Sequence, residues 1–220
     1  MISEIILLIT EWIGTISFAV SGALVAIKHN LDLFGVATVG TITAIGGGIL
    51  RDTMIGNTPP KIFSNPIILL VAVITSIIVF VITFFHRKNF NKLSAKIETI
   101  NVLFDALGLA SFTIAGTEVA CMASLQNNVL LVIVLGVITG VGGGILRDVL
   151  VNEKPYILTK HIYAIVSITG CCLYYLISVY MNYKVVATIL VMIFTVLVRL
   201  LAAKFRWKLP KIKIDESEIN

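Results

Sequence analysis

Charged side chains stand inside stretches that are otherwise strongly apolar, among them Glu11, Arg51, Asp52, Asp105, Glu118, Arg147 and Asp148. Carboxylates and guanidiniums in a cleft can do acid–base or phosphate chemistry, but the sequence around these does not frame an enzyme. GGGILRD, at Gly46–Asp52 and again at Gly142–Asp148, lacks the Lys-Ser/Thr end of a phosphate loop. GVGGGIL, from Gly140, fails a dinucleotide fingerprint because Ile145 stands where its last glycine belongs. No Ser/His/Asp or Cys/His set shares a site. His29, His86 and His161 are too scattered for a metal, and no cofactor is implied. Ionisable groups within apolar spans face a bundle interior or a water-filled cavity and mark a pathway, so the chemistry expected is the handling of ions.

The heptad sets out the parts. Gly46, Gly47 and Gly48, like Gly142, Gly143 and Gly144, allow close helix packing. Three in a row point all around the axis, which also predicts a kink or unwound turn at mid-membrane. Such a turn is tolerated where it lines a cavity or is buried in protein. Arg51 and Asp52 are adjacent and diverge by roughly 100° on a helix, so each needs a partner elsewhere. The expected pairs are Glu11–Arg51 and Asp105–Arg147, acting as a gate or brace. Asp52 and Asp148 would then be free to draw cations toward a vestibule. Glu118, whose repeat equivalent is Leu24, would line a mouth or reach solvent. Thr43 and Thr139 would offer hydroxyls to an ion or a freed carbonyl, or bond back within their own helices.

The elements that must position these residues are membrane spans. Of 220 residues, 58% are hydrophobic and 13% charged, with a mean hydropathy of +1.01, so lipid must be the solvent. Seven stretches meet the requirement of about 20 apolar residues: roughly 5–27, 33–54, 66–86, 99–121, 129–150, 161–180 and 184–203. Gly40–Asp52 matches Gly136–Asp148 at an offset of 96, and Glu11–Gly22 matches Asp105–Gly116 at an offset of 94. An odd number of spans per unit inverts the second unit relative to the first. The fold class is therefore an all-α polytopic membrane protein with seven transmembrane helices, two inverted three-helix repeats plus a seventh helix. Its parts are the first repeat (1–86), a basic cytoplasmic loop (87–98), the second repeat (99–180), the seventh helix (181–203) and a polar cytoplasmic tail (204–220). Arg87, Lys88, Lys92 and Lys96 sit on the same side as Lys204, Arg206, Lys208, Lys211 and Lys213, which predicts the N-terminus outside and the C-terminus in the cytoplasm. The first four of these could also bind anionic lipid. Arg199 reads as a snorkelling anchor. The net charge of +5 is scattered and is no nucleic-acid footprint. Cys121, Cys171 and Cys172 read as apolar packing residues. The first charged residues are Glu4 and Glu11, so the first span is expected to be retained rather than cleaved.

Paired GGGILRD heptads in a seven-span chain with a three-plus-three inverted repeat resemble the prokaryotic trimeric intracellular cation channels, the TRIC family. The resemblance covers roughly residues 4–180. It implies a homotrimer with a pore in each protomer, shaped by kinks at the two glycine triads. It further implies conduction of K+ or Na+, surrounding membrane lipids, and residence in the prokaryotic plasma (inner) membrane. Asp105 to Cys121 contains no Lys or Arg, so voltage sensing by a basic residue of the fourth span is not implied. Some bacterial relatives are labelled glycine transporters, and the alternative is a secondary carrier for glycine or another small amino acid. Broken helices would then present their N-termini to a substrate carboxylate, with Arg51 or Arg147 assisting.

Overall fold

The computed structural model describes residues 2–64, 66–86, 94–159 and 162–207. Its long helices are α1 (Ile2–Lys28), α2 (Leu33–Met54), α4 (Pro66–Phe85), α5 (Ser94–Ala120), α6 (Val129–Leu150), α8 (Ile162–Tyr175) and α9 (Lys184–Lys204). Two single-turn helices, α3 (Lys61–Ser64) and α7 (Tyr156–Thr159), precede α4 and α8. α5 and α8 widen into π-turns at Cys121–Leu125 and Leu176–Tyr180. Among the described residues, seven helices are long and apolar enough to cross a bilayer, which makes this an integral membrane protein. The face where α1 begins is called the N-terminal face below, and the face where α9 ends the C-terminal face.

The repeat extends to local signals outside the heptads. The Asp32 side chain accepts from the Gly35 amide (2.8 Å) and so starts α2. Asn128, 96 residues on, accepts from Leu131 (3.1 Å) and starts α6. Just beyond the ends of those helices, Gly56 (φ 73°) and Asn152 (φ 59°) take up the left-handed conformation that turns the chain.

The two units pack around a pseudo-two-fold axis. Phe18 of α1 and Phe112 of α5 meet there with ring centroids 5.3 Å apart. Each ring lies over the other helix's glycine, Phe112 against Gly14 and Phe18 against Gly108. Gly14 of α1 and Gly108 of α5 are thus used for packing inside the protomer. α2 and α6 cross beside them. α9 stands outside the symmetry and packs on α5 and α8. In α4 just Ala72 and Ser76 are buried, so its surface is left for lipid or a neighbouring chain.

Candidate functional site

Both glycine triads lie at the crossing of α2 and α6, and both helices are α-helical straight through them. Of the kink or unwound turn expected from three consecutive glycines, the unwound turn is not formed. The glycines instead admit the other backbone. A Cβ on Gly47 would overlap the Thr139 carbonyl, and one on Gly143 would overlap the Thr43 carbonyl. A Cβ on Gly142 would sit 3.1 Å from the Gly47 Cα. Thr43 and Thr139 are fully buried and donate to the Val39 and Leu135 carbonyls, each at 2.6 Å. Their hydroxyl protons are thus used within their own helices.

The charged ends of α2 and α6 follow a common plan. Arg51 Nε donates to Asp52 Oδ1 at 2.9 Å, and Arg147 Nε to Asp148 Oδ1 at 2.8 Å. The expectation that adjacent residues cannot pair is therefore corrected. In the last helical turn a carboxylate can lean outward toward the following loop, and the long arginine side chain reaches sideways to it. The second oxygen of each aspartate shows why it leans. Asp52 Oδ2 accepts from the Lys61 amide (2.9 Å), and Asp148 Oδ2 from the Tyr156 amide (2.8 Å), at the first residues of α3 and α7. Asp52 and Asp148 are buried with both oxygens engaged. They are not free to attract cations; they fasten the short helices to the long ones.

Beyond this plan the halves differ. Arg147 also donates from Nη1 to Asp105 Oδ1 and to Ser21 Oγ, both at 2.8 Å. The guanidinium stacks 5.0 Å from the Tyr156 ring centroid. Ser21 in turn donates to Asn101 Oδ1 at 2.8 Å. From α9, Arg199 donates to Asp105 Oδ2 at 3.3 Å and lies 4.4 Å from the Tyr163 ring centroid. Two guanidiniums and two carboxylates make a neutral, fully enclosed cluster near the C-terminal face. Arg199 is a buried member of it and not a snorkelling anchor.

In the first half the Glu11–Arg51 pair is not made. Arg51 rests on Asp52, and Glu11 stays apart, half-buried on α1. The residues matching Ser21 and Asn101 are Ala115 and Leu7. Without that polar surround a buried acid would have a single partner, which does not repay its desolvation.

Glu118 does not reach solvent. It is buried near the N-terminal face, accepting from Lys184 Nζ (2.6 Å) and from the Tyr174 hydroxyl (3.1 Å). On the C-terminal face His29 Nε2 lies 2.9 Å from Glu153 Oε1, joining a loop of each half. Arg87, Lys88, Lys92, Lys160, His161, Lys208, Lys211 and Lys213 lie outside the described residues, and of Lys96 just the helical backbone is described. Sequence reasoning missed Ser21, Asn101, Tyr156, Tyr163, Tyr174 and Lys184. Asn101, an amide within a span, was the available signal for the first of these groups.

Tyr156 gives the cluster a titratable edge. Burial, joined by the nearby carboxylates, pushes its phenol from 10.0 to about 12, and the Arg147 guanidinium offsets part of the rise. The folded state then holds this proton more tightly than the unfolded chain. Its contribution to stability is full below the unfolded pKa of 10.0 and is lost as the pH rises through about 12. Tyr156→Phe is therefore expected to lessen the fall in thermal midpoint between about pH 9 and pH 11.5. Equal falls in both proteins would contradict the placement of this phenol.

A family model described as "Glycine transporter" matches residues 8–83 and 102–179, one segment in each repeat. The chain is 38% identical over 209 residues to the UPF0126 inner membrane protein YadS of Escherichia coli (strain K12), covering 93% of this chain and 95% of that protein. It is 36% identical over 200 residues to the UPF0126 membrane protein YvgT of Bacillus subtilis (strain 168), covering 90% and 92%. Among solved structures it is similar to a prokaryotic TRIC channel crystallised in 0.5 M KCl, with TM-score 0.81, 36% identity, and coverage of 94% of this chain and 100% of that one. It is also similar to the TRIC orthologue from Rhodobacter sphaeroides, with TM-score 0.80, 28% identity, and coverage of 91% and 98%.

Proposed function

Since the chain belongs to the glycine-transporter family, which is the family of the TRIC channels, we propose that it is a cation channel of the prokaryotic inner membrane. The observation that carries this reading is the likeness to a solved TRIC channel over 94% of the chain, at 36% identity. In this reading K+ and Na+ are the permeant ions. Each protomer of a homotrimer holds its own pathway, beside the crossing of α2 and α6. The glycine triads set how closely those helices approach. The Arg147 cluster holds the second half rigid, and Glu11 and Arg51 belong to the half that moves. Glu11, the acid that Arg51 leaves alone, biases the pathway toward cations. The N-terminal face is external, and Arg87, Lys88, Lys92 and Lys96 rest against anionic lipid on the cytoplasmic side.

The test is single-channel recording of purified protein in a planar bilayer under a KCl gradient. Discrete openings that reverse near the potassium equilibrium potential are expected. In Glu11→Gln the reversal potential should move toward zero. The description of the family model favours a second reading, a carrier for glycine. A silent bilayer together with saturable glycine uptake into proteoliposomes would replace the channel by that carrier.

A further inference from the structure

α9 has no counterpart in the repeat, and it is seated on α5 through two basic residues, Arg199 on Asp105 and Lys184 on Glu118. The two seats differ. Arg199 is enclosed along with its partner. Lys184 reaches in from the edge of the protein: its side chain is 39% exposed, whereas that of Glu118 is 4% exposed. The arrangement is therefore a buried carboxylate capped by a part-exposed ammonium.

Two independent features say that neither helix by itself calls for its member of this pair. Leu24 occupies the matching position in the first half, so the packing of that helix face needs no acid. Lys184 is also the first residue of α9, and Tyr183 before it gives no side-chain cap. A positive charge at a helix N-terminus opposes the helix dipole, so α9 itself gains nothing from a lysine there. What demands the ammonium is Glu118: a carboxylate withdrawn from water needs a counter-charge. Tyr174 already donates to Oε2, leaving Oε1 for the cation.

We infer that Glu118 is a cation-binding carboxylate on the N-terminal face, filled in this structure by the chain's own Lys184 ammonium, which a small monovalent inorganic cation can displace. K+ is close to an ammonium group in size and charge and can take the same position against Oε1. When it does, Lys184 swings out into solvent. Binding at Glu118 does not depend on the chain conducting ions. Any effect of that binding on current rests on the channel reading.

The experiment uses the full-length wild-type protein in detergent. The rate of Lys184 modification by an amine-reactive reagent is followed by mass spectrometry in KCl and in choline chloride at equal ionic strength. Choline screens charge equally but is too large for the seat. Lys184 is expected to react several-fold faster in KCl, while Lys61, an exposed lysine on the same face, reacts equally in both salts. Equal rates for Lys184 would overturn the inference. A second comparison uses variants: Lys184→Gln should gain a thermal midpoint that rises in KCl over choline chloride, and Lys184→Gln/Glu118→Gln should lose that rise. No rise in the single variant would also overturn it. A silent bilayer leaves both tests standing, so failure of the channel reading and failure of this one are distinguishable.

Discussion

Arg147→Met is expected to destabilise the protein by about 3–5 kcal/mol, the range for removing one partner of a buried ion pair. Methionine is long and unbranched and fills much of the same volume, so the loss reports charge rather than packing. What it leaves behind is the problem. Asp105 and Asp148, enclosed at 0% and 1% side-chain exposure, would lose the cation that both hold at 2.8 Å; Asp105 would keep Arg199 at 3.3 Å, and Asp148 would keep the Tyr156 amide but no charged partner. Ser21 would lose the guanidinium as well. Arg51→Met, the matching change in the first half, releases Asp52 alone, because Glu11 was never held. The expected loss there is roughly half as large. Thermal midpoints of the purified variants, read by loss of the folded elution peak after heating, give the comparison. Arg147→Met/Asp148→Asn should recover part of the loss, since it neutralises the carboxylate left without a cation while Asp105 keeps Arg199. Equal midpoints for Arg51→Met and Arg147→Met would refute the asymmetry between the halves.

That asymmetry marks where sequence reading stops. Spans were legible because lipid imposes a length and a composition. The repeat was legible because the same glycines and charges return at fixed offsets. Asp105–Arg147 followed from the matched depths of acid and base in two neighbouring helices, and the structure makes that pair at 2.8 Å. The same symmetry suggested Glu11–Arg51, and it failed because symmetry carries no information about residues that break it. Ser21 and Asn101 have apolar counterparts in Ala115 and Leu7, and Arg199 has none at all, so a search for matched pairs passes over them. The pairing of Arg51 with its neighbour Asp52 was hidden for another reason. Helical-wheel angles describe where Cβ atoms point. They do not describe how far an arginine reaches at a helix end, where the first amide of a short helix turns the aspartate.

The glycine triads give the second large effect, and here the two physical readings predict different rankings. If flexibility were the reason for three glycines, each would matter alike, since each adds backbone freedom. If close approach is the reason, the cost of an added methyl depends on what it meets. On Gly47 and Gly143 it meets the carbonyls of Thr139 and Thr43, backbone atoms that cannot rotate away. On Gly48 the nearest atom is Arg51 Nη2 at 3.8 Å, ordinary contact with the tip of a flexible side chain. Gly47→Ala and Gly143→Ala are therefore expected to lose about 3 kcal/mol or more, at the upper end of overpacking effects, because α2 and α6 must separate along their crossing. Gly48→Ala should be neutral or stabilising by up to about 1 kcal/mol, through the better helix propensity of alanine. Thermal midpoints of the three variants decide between the readings. A Gly48→Ala protein as damaged as Gly47→Ala would return the triad to a hinge. A Gly48→Ala protein that is stable and also keeps its full conductance would mean that permeation does not depend on a loose helix at this position.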